Sequence, residues 1–312
     1  MNKTAFIFPG QGSQYAGMGK EFYDNFKESK EIFNRANEAL GFDIAKICFE
    51  GTDENLSVTK ITQPAILTVC MAIFEVIKNK KQSNNIVMGG LSLGEYSALT
   101  ASGAIDFETA VKLVYNRGNY MQNAVPAGEG GMIALMGCTD DDAIKFCEHV
   151  TNNCDLLEPA NFNCPGQIAA GGTINAIEYA LKESANFNIR KSVKLQVSAP
   201  FHTSMLKPAG NKLKEDLMKI KFKKPYCDVI SNVDTNYYEN ENEIANKLEK
   251  QVYNPVKWES CVRKMIADGV DTFIEIGPGK SLCGFIKKID KSVKFLNIED
   301  ISSLEKYLQY AL

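Results

Sequence analysis

The stretch Gly89-Gly90-Leu91-Ser92-Leu93-Gly94 decides how this chain is read, because of what stands on either side of it. The segment Asn85 to Met88 predicts a strand before it, and Glu95 to Ala101 predicts a helix after it. Glycine-x-serine-x-glycine between a strand and a helix is a nucleophile elbow. The turn is so tight that only glycines fit on either side, and the serine hydroxyl is held up at a helix N-terminus. Ser92 is therefore the candidate nucleophile; the bland alternative is a glycine-rich turn with an idle serine.

A serine at its free pKa needs a base within hydrogen-bond reach. The chain has two histidines. His149 ends a predicted helix among charged residues, which suits a solvated surface position. His202 stands in Ala199-Pro200-Phe201-His202-Thr203, where the chain passes from one predicted unit back to another, and loops at such junctions overhang clefts. That makes His202 the candidate general base.

Further predicted strands at Thr4 to Phe8, Asp228 to Ser231, Thr272 to Ile276 and Val293 to Ile298 alternate with helical patterns. Among these helices are Thr62 to Lys78, with Pro64 in its first turn, and Phe107 to Ala124. Alternation of this kind implies an α/β fold with a mostly parallel sheet covered on both faces. Between residues 126 and 198 the rhythm changes. Strands at Met132 to Met136, Leu156 to Asn161, Gln167 to Ala170 and Ser192 to Val197 enclose helices at Asp140 to Val150 and Ile174 to Ser184. The order β-α-β-β-α-β is that of a ferredoxin-like unit, expected here as a small domain, 126–198, inserted into a large one made of 1–125 and 199–312.

Two other loops invite a nucleotide reading, and both fail on spacing. In Pro9-Gly10-Gln11-Gly12-Ser13-Gln14-Tyr15 the third glycine of a dinucleotide fingerprint would fall on Tyr15. In Gly279-Lys280-Ser281 the first glycine of a P-loop would have to be residue 274, which is Ile274.

The 312 residues, 45% hydrophobic and 23% charged, describe an ordinary globular chain with material for a sizeable core. A net charge of −3 gives no global basic surface, so nucleic acid is not an expected partner. Basic clusters at Lys78-Asn79-Lys80-Lys81 and along Lys219 to Lys224 read as solvated helix ends or as docking points for an acidic partner. Nine cysteines without a C-x-x-C pair argue against zinc and against a disulfide framework. Ala5 to Phe8 is too short for a signal-peptide apolar region, and no run reads as long enough to span a bilayer. A cytoplasmic protein without membrane contact is expected.

Taken together, these stretches resemble the malonyl-CoA:acyl carrier protein transacylases of fatty acid synthesis along nearly the whole length. Phe8-Pro9-Gly10-Gln11-Gly12-Ser13-Gln14 matches the family's opening signature, and Gly90-Leu91-Ser92-Leu93-Gly94-Glu95-Tyr96 its elbow. Arg117-Gly118, Asn161-Phe162-Asn163, Gln251-Val252-Tyr253-Asn254-Pro255-Val256-Lys257-Trp258 and Gly277-Pro278-Gly279-Lys280 match its other landmarks. One departure shows: the family usually has His before the serine, where this chain has Leu91.

The resemblance implies an α/β-hydrolase-like large domain, a ferredoxin-like insert and an active site in the gorge between them. It implies Ser92 as nucleophile and His202 as base, with the backbone carbonyl of Gln251 orienting the ring. Gln11 and the backbone N–H of Leu93 would form the oxyanion hole, with Gly10 and Gly12 letting that loop approach the elbow. Arg117 would hold the substrate carboxylate, and Gln63 would steady Arg117 or the substrate, its bland role being helix capping. Asn161, Asn163 and Phe201 would line the substrate. Phe201 also suits malonyl over branched groups, because a bulky ring leaves no room for an α-methyl.

The implied reaction is ping-pong transfer of malonyl from the coenzyme A thioester to the phosphopantetheine thiol of acyl carrier protein, by a monomer without cofactor or metal. The alternatives are an acyl-thioester hydrolase, a polyketide-type acyltransferase with another acyl preference, and a non-catalytic carrier-binding module.

Overall fold

The structure, a computed structural model, describes residues 3–78, 85–197 and 199–310. Its strands are β1 (Lys3–Phe8), β2 (Ile86–Gly90), β3 (Gly130–Met136), β4 (Leu157–Cys164), β5 (Gln167–Thr173), β6 (Lys191–Lys194), β7 (Asp228–Val229), β8 (Val270–Ile276) and β9 (Lys294–Ile298). They form two sheets. One is five-stranded in the order β7-β2-β1-β8-β9, with every pairing parallel. The other is four-stranded in the order β4-β5-β3-β6, with every pairing antiparallel.

The central strand β1 buries Ala5, Phe6, Ile7 and Phe8 in succession, as a strand covered on both faces must. Phe6 and Phe8 pack on one side with the helix Thr59–Lys78. Ala5 and Ile7 pack on the other, with Trp258 and Val262 of the helix Trp258–Ala267 and Ile286 of the helix Ser281–Ile289.

The helix Thr59–Lys78 corrects two expectations. It begins three residues before the predicted Thr62, so Pro64 lies inside it rather than in its first turn. It is also long and apolar enough to cross a membrane, although the sequence shows no such run at first sight; most of its apolar stretch is buried in the protein core. Gly118 lets the helix Phe107–Gln122 come close to its start, where an added Cβ would meet the Thr59 carbonyl oxygen at 2.6 Å.

In the small sheet the period of two separates the faces of β3. Ile133 and Leu135 join Phe146 and Ile177 in a core under the helices Asp140–Asn153 and Ile174–Glu183, while Met132 joins the main core. Thr139 and Asp142 close a capping box on the first of these helices. Strand β4 is tied to the large unit by a parallel bridge. Phe162 N–H donates to the Val256 carbonyl at 2.9 Å and Val256 N–H to that of Ala160 at 2.9 Å.

Two strands fall short of prediction. β6 ends at Lys194: Leu195 N–H still reaches the Met132 carbonyl of β3 at 2.9 Å, and from there Leu195 and Val197 line a cavity. β7 has only two residues because the chain turns at Ser231 to Thr235, where Thr235 has φ 60°. Ser198, at the predicted end of the insert, and residues 79–81 of the first basic cluster lie outside the described residues; Lys78 pairs with Glu75.

Candidate active site

The elbow is set by sterics. A Cβ on Gly90 would collide with the backbone of Gly94, and one on Gly94 would collide with the Phe8 carbonyl at the end of β1. Ser92 between them is held at φ 54°, ψ −103°, a conformation a side-chain-bearing residue rarely adopts. Asn232 holds it there: Ser92 N–H donates to Asn232 Oδ1 at 2.7 Å, and Asn232 Nδ2 donates to the Gly90 carbonyl at 2.9 Å.

Ser92 Oγ lies 2.7 Å from His202 Nε2, and His202 Nδ1 lies 2.7 Å from the Gln251 main-chain carbonyl. A carbonyl can only accept, so the proton sits on Nδ1 and leaves the Nε2 lone pair for the serine hydroxyl. Burial, with the Arg117 charge adding to it and the Gln251 carbonyl opposing it, pushes the His202 pKa down to about 3. The imidazole is thus neutral at neutral pH, with the Nε2 lone pair turned to the serine hydroxyl. His202 itself has φ 61° and is gripped on both sides: Thr203 Oγ1 donates to the Pro200 carbonyl at 2.6 Å, and Ser204 N–H to Glu158 of β4 at 2.7 Å.

Arg117, 1% exposed, sends Nη1 to Gln63 Oε1 at 2.7 Å, and Nη2 to Gln251 Oε1 at 2.9 Å and Ser92 Oγ at 3.1 Å. Its guanidinium lies over the Tyr96 ring, 5.1 Å from the centroid. Among the described residues no carboxylate pairs with it, and its buried Nε has no partner. A buried cation facing only neutral acceptors is a site prepared for an anion. Gln63 thus accepts from Arg117, and its Nε2 faces Met121 Sδ at 3.8 Å.

Gly10 brings the opening loop to the elbow, since a Cβ there would meet the Leu91 carbonyl oxygen at 2.5 Å. Gly12 acts differently from expectation. Nothing lies within 4 Å of its added Cβ, and its φ of 101° is what calls for glycine. The side chain of Gln11 reaches Thr59 Oγ1 at 3.4 Å. The backbone N–H groups of Gln11 and of Leu93, first residue of its helix, have no acceptor among the described residues.

All the predicted site residues except Gln251, which lies buried behind Arg117, line one cavity of about 230 Å³. The small unit contributes Met132, Asn161, Asn163, Ala169, Leu195 and Val197 to its wall. Register shifts between Pro159 and Asn161 and between Phe162 and Cys164 interrupt β4 where its two asparagines reach the cavity. Leu91 and Phe201 line it too, as do Ser281, Leu282 and Phe285.

His149 is elsewhere, half-buried in the small unit with its ring 4.8 Å from that of Phe187. The Lys219 to Lys224 cluster also lies apart. Lys223 N–H and Tyr226 N–H donate to the carbonyls of Ala104 and Ser102, just past the far end of the helix Leu93–Ala101. That is roughly 13 Å along the helix from the serine, so the cluster does not border the cavity.

Sequence reasoning missed Asn232, Glu95 and Tyr238, which form a buried layer beneath the elbow. Glu95 accepts from Tyr238 OH at 2.5 Å, Gln251 Nε2 at 2.6 Å and Asn232 N–H at 3.1 Å. Burial, against those three donors, raises its pKa to about 7.

With this geometry in hand, comparison with known proteins gives one answer. The acyl transferase domain family matches residues 5–305. The malonyl CoA-acyl carrier protein transacylase of Bacillus subtilis is 42% identical over 309 residues, 99% of this chain and 97% of the relative. The crystal structure of the Clostridium perfringens transacylase of that name superposes with a TM-score of 0.93 at 48% identity, covering 99% of this chain and 97% of that one. A malonyl-transacylase solved in complex with a type II PKS acyl-carrier protein gives a TM-score of 0.95 at 36% identity, with 99% and 100% covered. The chain belongs to the acyl transferase domain family and, within it, to the malonyl CoA-acyl carrier protein transacylases.

Proposed function

We propose that this protein carries malonyl groups from malonyl-CoA to the phosphopantetheine thiol of acyl carrier protein, supplying fatty acid chain elongation. The observation that carries the proposal is the buried Arg117 guanidinium, in no ion pair among the described residues and 3.1 Å from the Ser92 hydroxyl. A nucleophile beside a fixed cation suits an acyl group that ends in a carboxylate.

His202 Nε2 takes the Ser92 proton as Oγ attacks the malonyl thioester carbonyl. The developing oxyanion is met by the backbone N–H groups of Leu93 and Gln11. The C–S bond breaks, and coenzyme A leaves as the thiol with the proton from His202. The carrier thiol then gives its proton to His202 and attacks the seryl ester; the C–Oγ bond breaks, and Ser92 leaves with the proton returned from His202. Gln251 keeps the ring oriented through its main chain, a dyad arrangement without an acidic third member. Arg117 holds the malonyl carboxylate throughout, and Asn161, Asn163 and Phe201 shape the space around the acyl chain. No step calls for a metal or cofactor.

The large unit, 1–125 with 199–312, is read as α/β-hydrolase-like from its elbow and parallel sheet. The unit 126–198 is read as ferredoxin-like from its β-α-β-β-α-β order. The protein acts as a cytoplasmic monomer, and its carrier approaches the cavity rim beside Lys280 and Ser281 rather than the distant Lys219 to Lys224 cluster.

Intact-mass measurement after mixing with malonyl-CoA tests the proposal. One malonyl group should appear on Ser92, survive in the absence of acceptor and move to holo carrier protein on its addition. Rapid release of free malonate without any thiol would make the enzyme a hydrolase instead.

A further inference from the structure

The Gln251 side chain stands between the buried carboxyl group of Glu95 and the buried guanidinium of Arg117. Its Nε2 faces three acceptors: Glu95 Oε2 at 2.6 Å, the Ser92 carbonyl at 2.9 Å and Asn232 Oδ1 at 3.4 Å. Its Oε1 faces one donor, Arg117 Nη2, at 2.9 Å. An amide has a donor end and an acceptor end of nearly equal shape, so the donors and acceptors around it decide which way it points. Turned over, it would set its N–H groups against the guanidinium and its oxygen against a carboxylate.

The strongest of the three acceptors is Glu95, fully buried three residues after the nucleophile and in no ion pair among the described residues. The same residue leaves the base alone, because His202 is oriented by the main-chain carbonyl of Gln251, which does not turn with the amide.

We infer that Glu95 is a positioning residue for acyl selectivity: by fixing the Gln251 amide it presents an oxygen to Arg117 and so holds the guanidinium fork where a substrate carboxylate meets it. The inference rests on the malonyl-transfer reading above. Arg117 has few alternatives if that oxygen is lost, since its other side-chain acceptors are Gln63 Oε1 and the nucleophile itself. A fork drawn toward Ser92 would bind a carboxylate poorly while leaving attack on an uncharged acyl group possible.

The test is the rate of Ser92 acylation by malonyl-CoA and by acetyl-CoA, each as kcat/KM. In Glu95→Ala the malonyl-over-acetyl preference should fall about tenfold or more, with acetyl loading nearly unchanged, because a misplaced binding group costs in this range. Glu95→Gln, which keeps an acceptor in place, should hold the preference to within about threefold. Equal losses on both substrates, an unchanged preference in Glu95→Ala, or a Glu95→Gln variant as defective as Glu95→Ala would each overturn the inference.

Should Glu95→Ala fail to fold, Gln251→Ala removes the same oxygen while sparing the main-chain carbonyl. Whatever loss it shows on both substrates in common, its malonyl-over-acetyl preference must fall, and an unchanged preference there overturns the inference as well. Wild-type protein that takes no malonyl onto Ser92 would overturn the functional reading and this inference with it. Wild-type protein that does, with a preference indifferent to both residues, would sink the inference alone.

Discussion

Two strand-to-helix turns lie at the same end of the parallel sheet, one strand apart. After β2 comes the elbow and the helix Leu93–Ala101; after β8 comes Gly277-Pro278-Gly279-Lys280 and the helix Ser281–Ile289. Each presents unsatisfied N–H groups at a helix start, a natural place for negative charge. At the second turn the protein fills that place itself. Glu275 accepts from Leu282 N–H at 3.1 Å and Cys283 N–H at 2.8 Å. At the elbow the Leu93 N–H has no such acceptor among the described residues, and Arg117 waits beside it unpaired. The contrast is between a helix start already filled by an internal carboxyl group and one left open beside a buried cation. It also explains why Gly279-Lys280-Ser281 resembles the tail of a P-loop without being one.

The largest break in the comparison should come from Arg117. Arg117→Ala removes the cation that makes the open turn selective, and malonyl loading should fall by roughly 10²–10³ while acetyl loading changes little, as for truncation of a buried charge partner. Arg117→Lys should recover little of the loss, because a point charge cannot reproduce a fork that serves Gln63, Gln251 and Ser92 together. Single-turnover acylation with both thioesters reads the outcome. Parallel loss on both would mean that Arg117 serves the nucleophile rather than the substrate.

A smaller effect is expected at the filled turn. Burial outweighs the two N–H donors and raises the Glu275 pKa to about 7, from an unfolded value of 4.5. A folded pKa above the unfolded one gives stability that is complete below pH 4.5 and lost as pH rises through about 7. Glu275→Gln removes this loss. Denaturant unfolding at pH 5 and pH 8 should therefore show wild type losing on the order of 2 kcal/mol more than the variant over that range. Malonyl loading should stay within a fewfold of wild type. A variant that loses as much as wild type would place the carboxylate in solvent contact.

What could be read from the sequence follows the same division. The elbow was legible because Gly90 and Gly94 are demanded by local collisions, and such demands leave a fixed spacing in the chain. The alternating helices and strands were legible because burial has a period. The polar layer under Ser92 was not. Glu95 meets Asn232 and Tyr238 from 137 and 143 residues away, and a buried hydrogen bond between distant residues leaves no local pattern. Asn232 sits in Ser231-Asn232-Val233-Asp234, which reads as an ordinary turn, yet it holds the strained backbone of Ser92. The Gln251 carbonyl was reached through family resemblance, since a main-chain group has no signature in sequence. The Lys219 to Lys224 cluster shows the converse: charge was plain in the sequence, while its distance from the cavity depended on the fold.

The smallest expected effect is an absence of change, and it concerns how each turn treats its buried titratable group. At the filled turn the carboxyl of Glu275 is committed to backbone N–H groups; at the open one His202 must stay neutral so that Nε2 can accept from Ser92. With its pKa down to about 3, below the ordinary 6.5, His202 resists protonation in the folded state while the unfolded chain takes up a proton. Its contribution to stability is therefore lost as pH falls from 6.5 toward 3. With only two histidines in the chain, ¹⁵N-histidine NMR resolves both rings, and a His149→Gln variant assigns them. Between pH 8 and pH 5 the His202 ring should keep the signature of a neutral imidazole protonated on Nδ1, without the usual inflection near 6.5. An imidazolium signal from His202 at pH 6 would mean that water reaches the ring, and the open turn would then lack the dry, preset base on which its difference from the filled one depends.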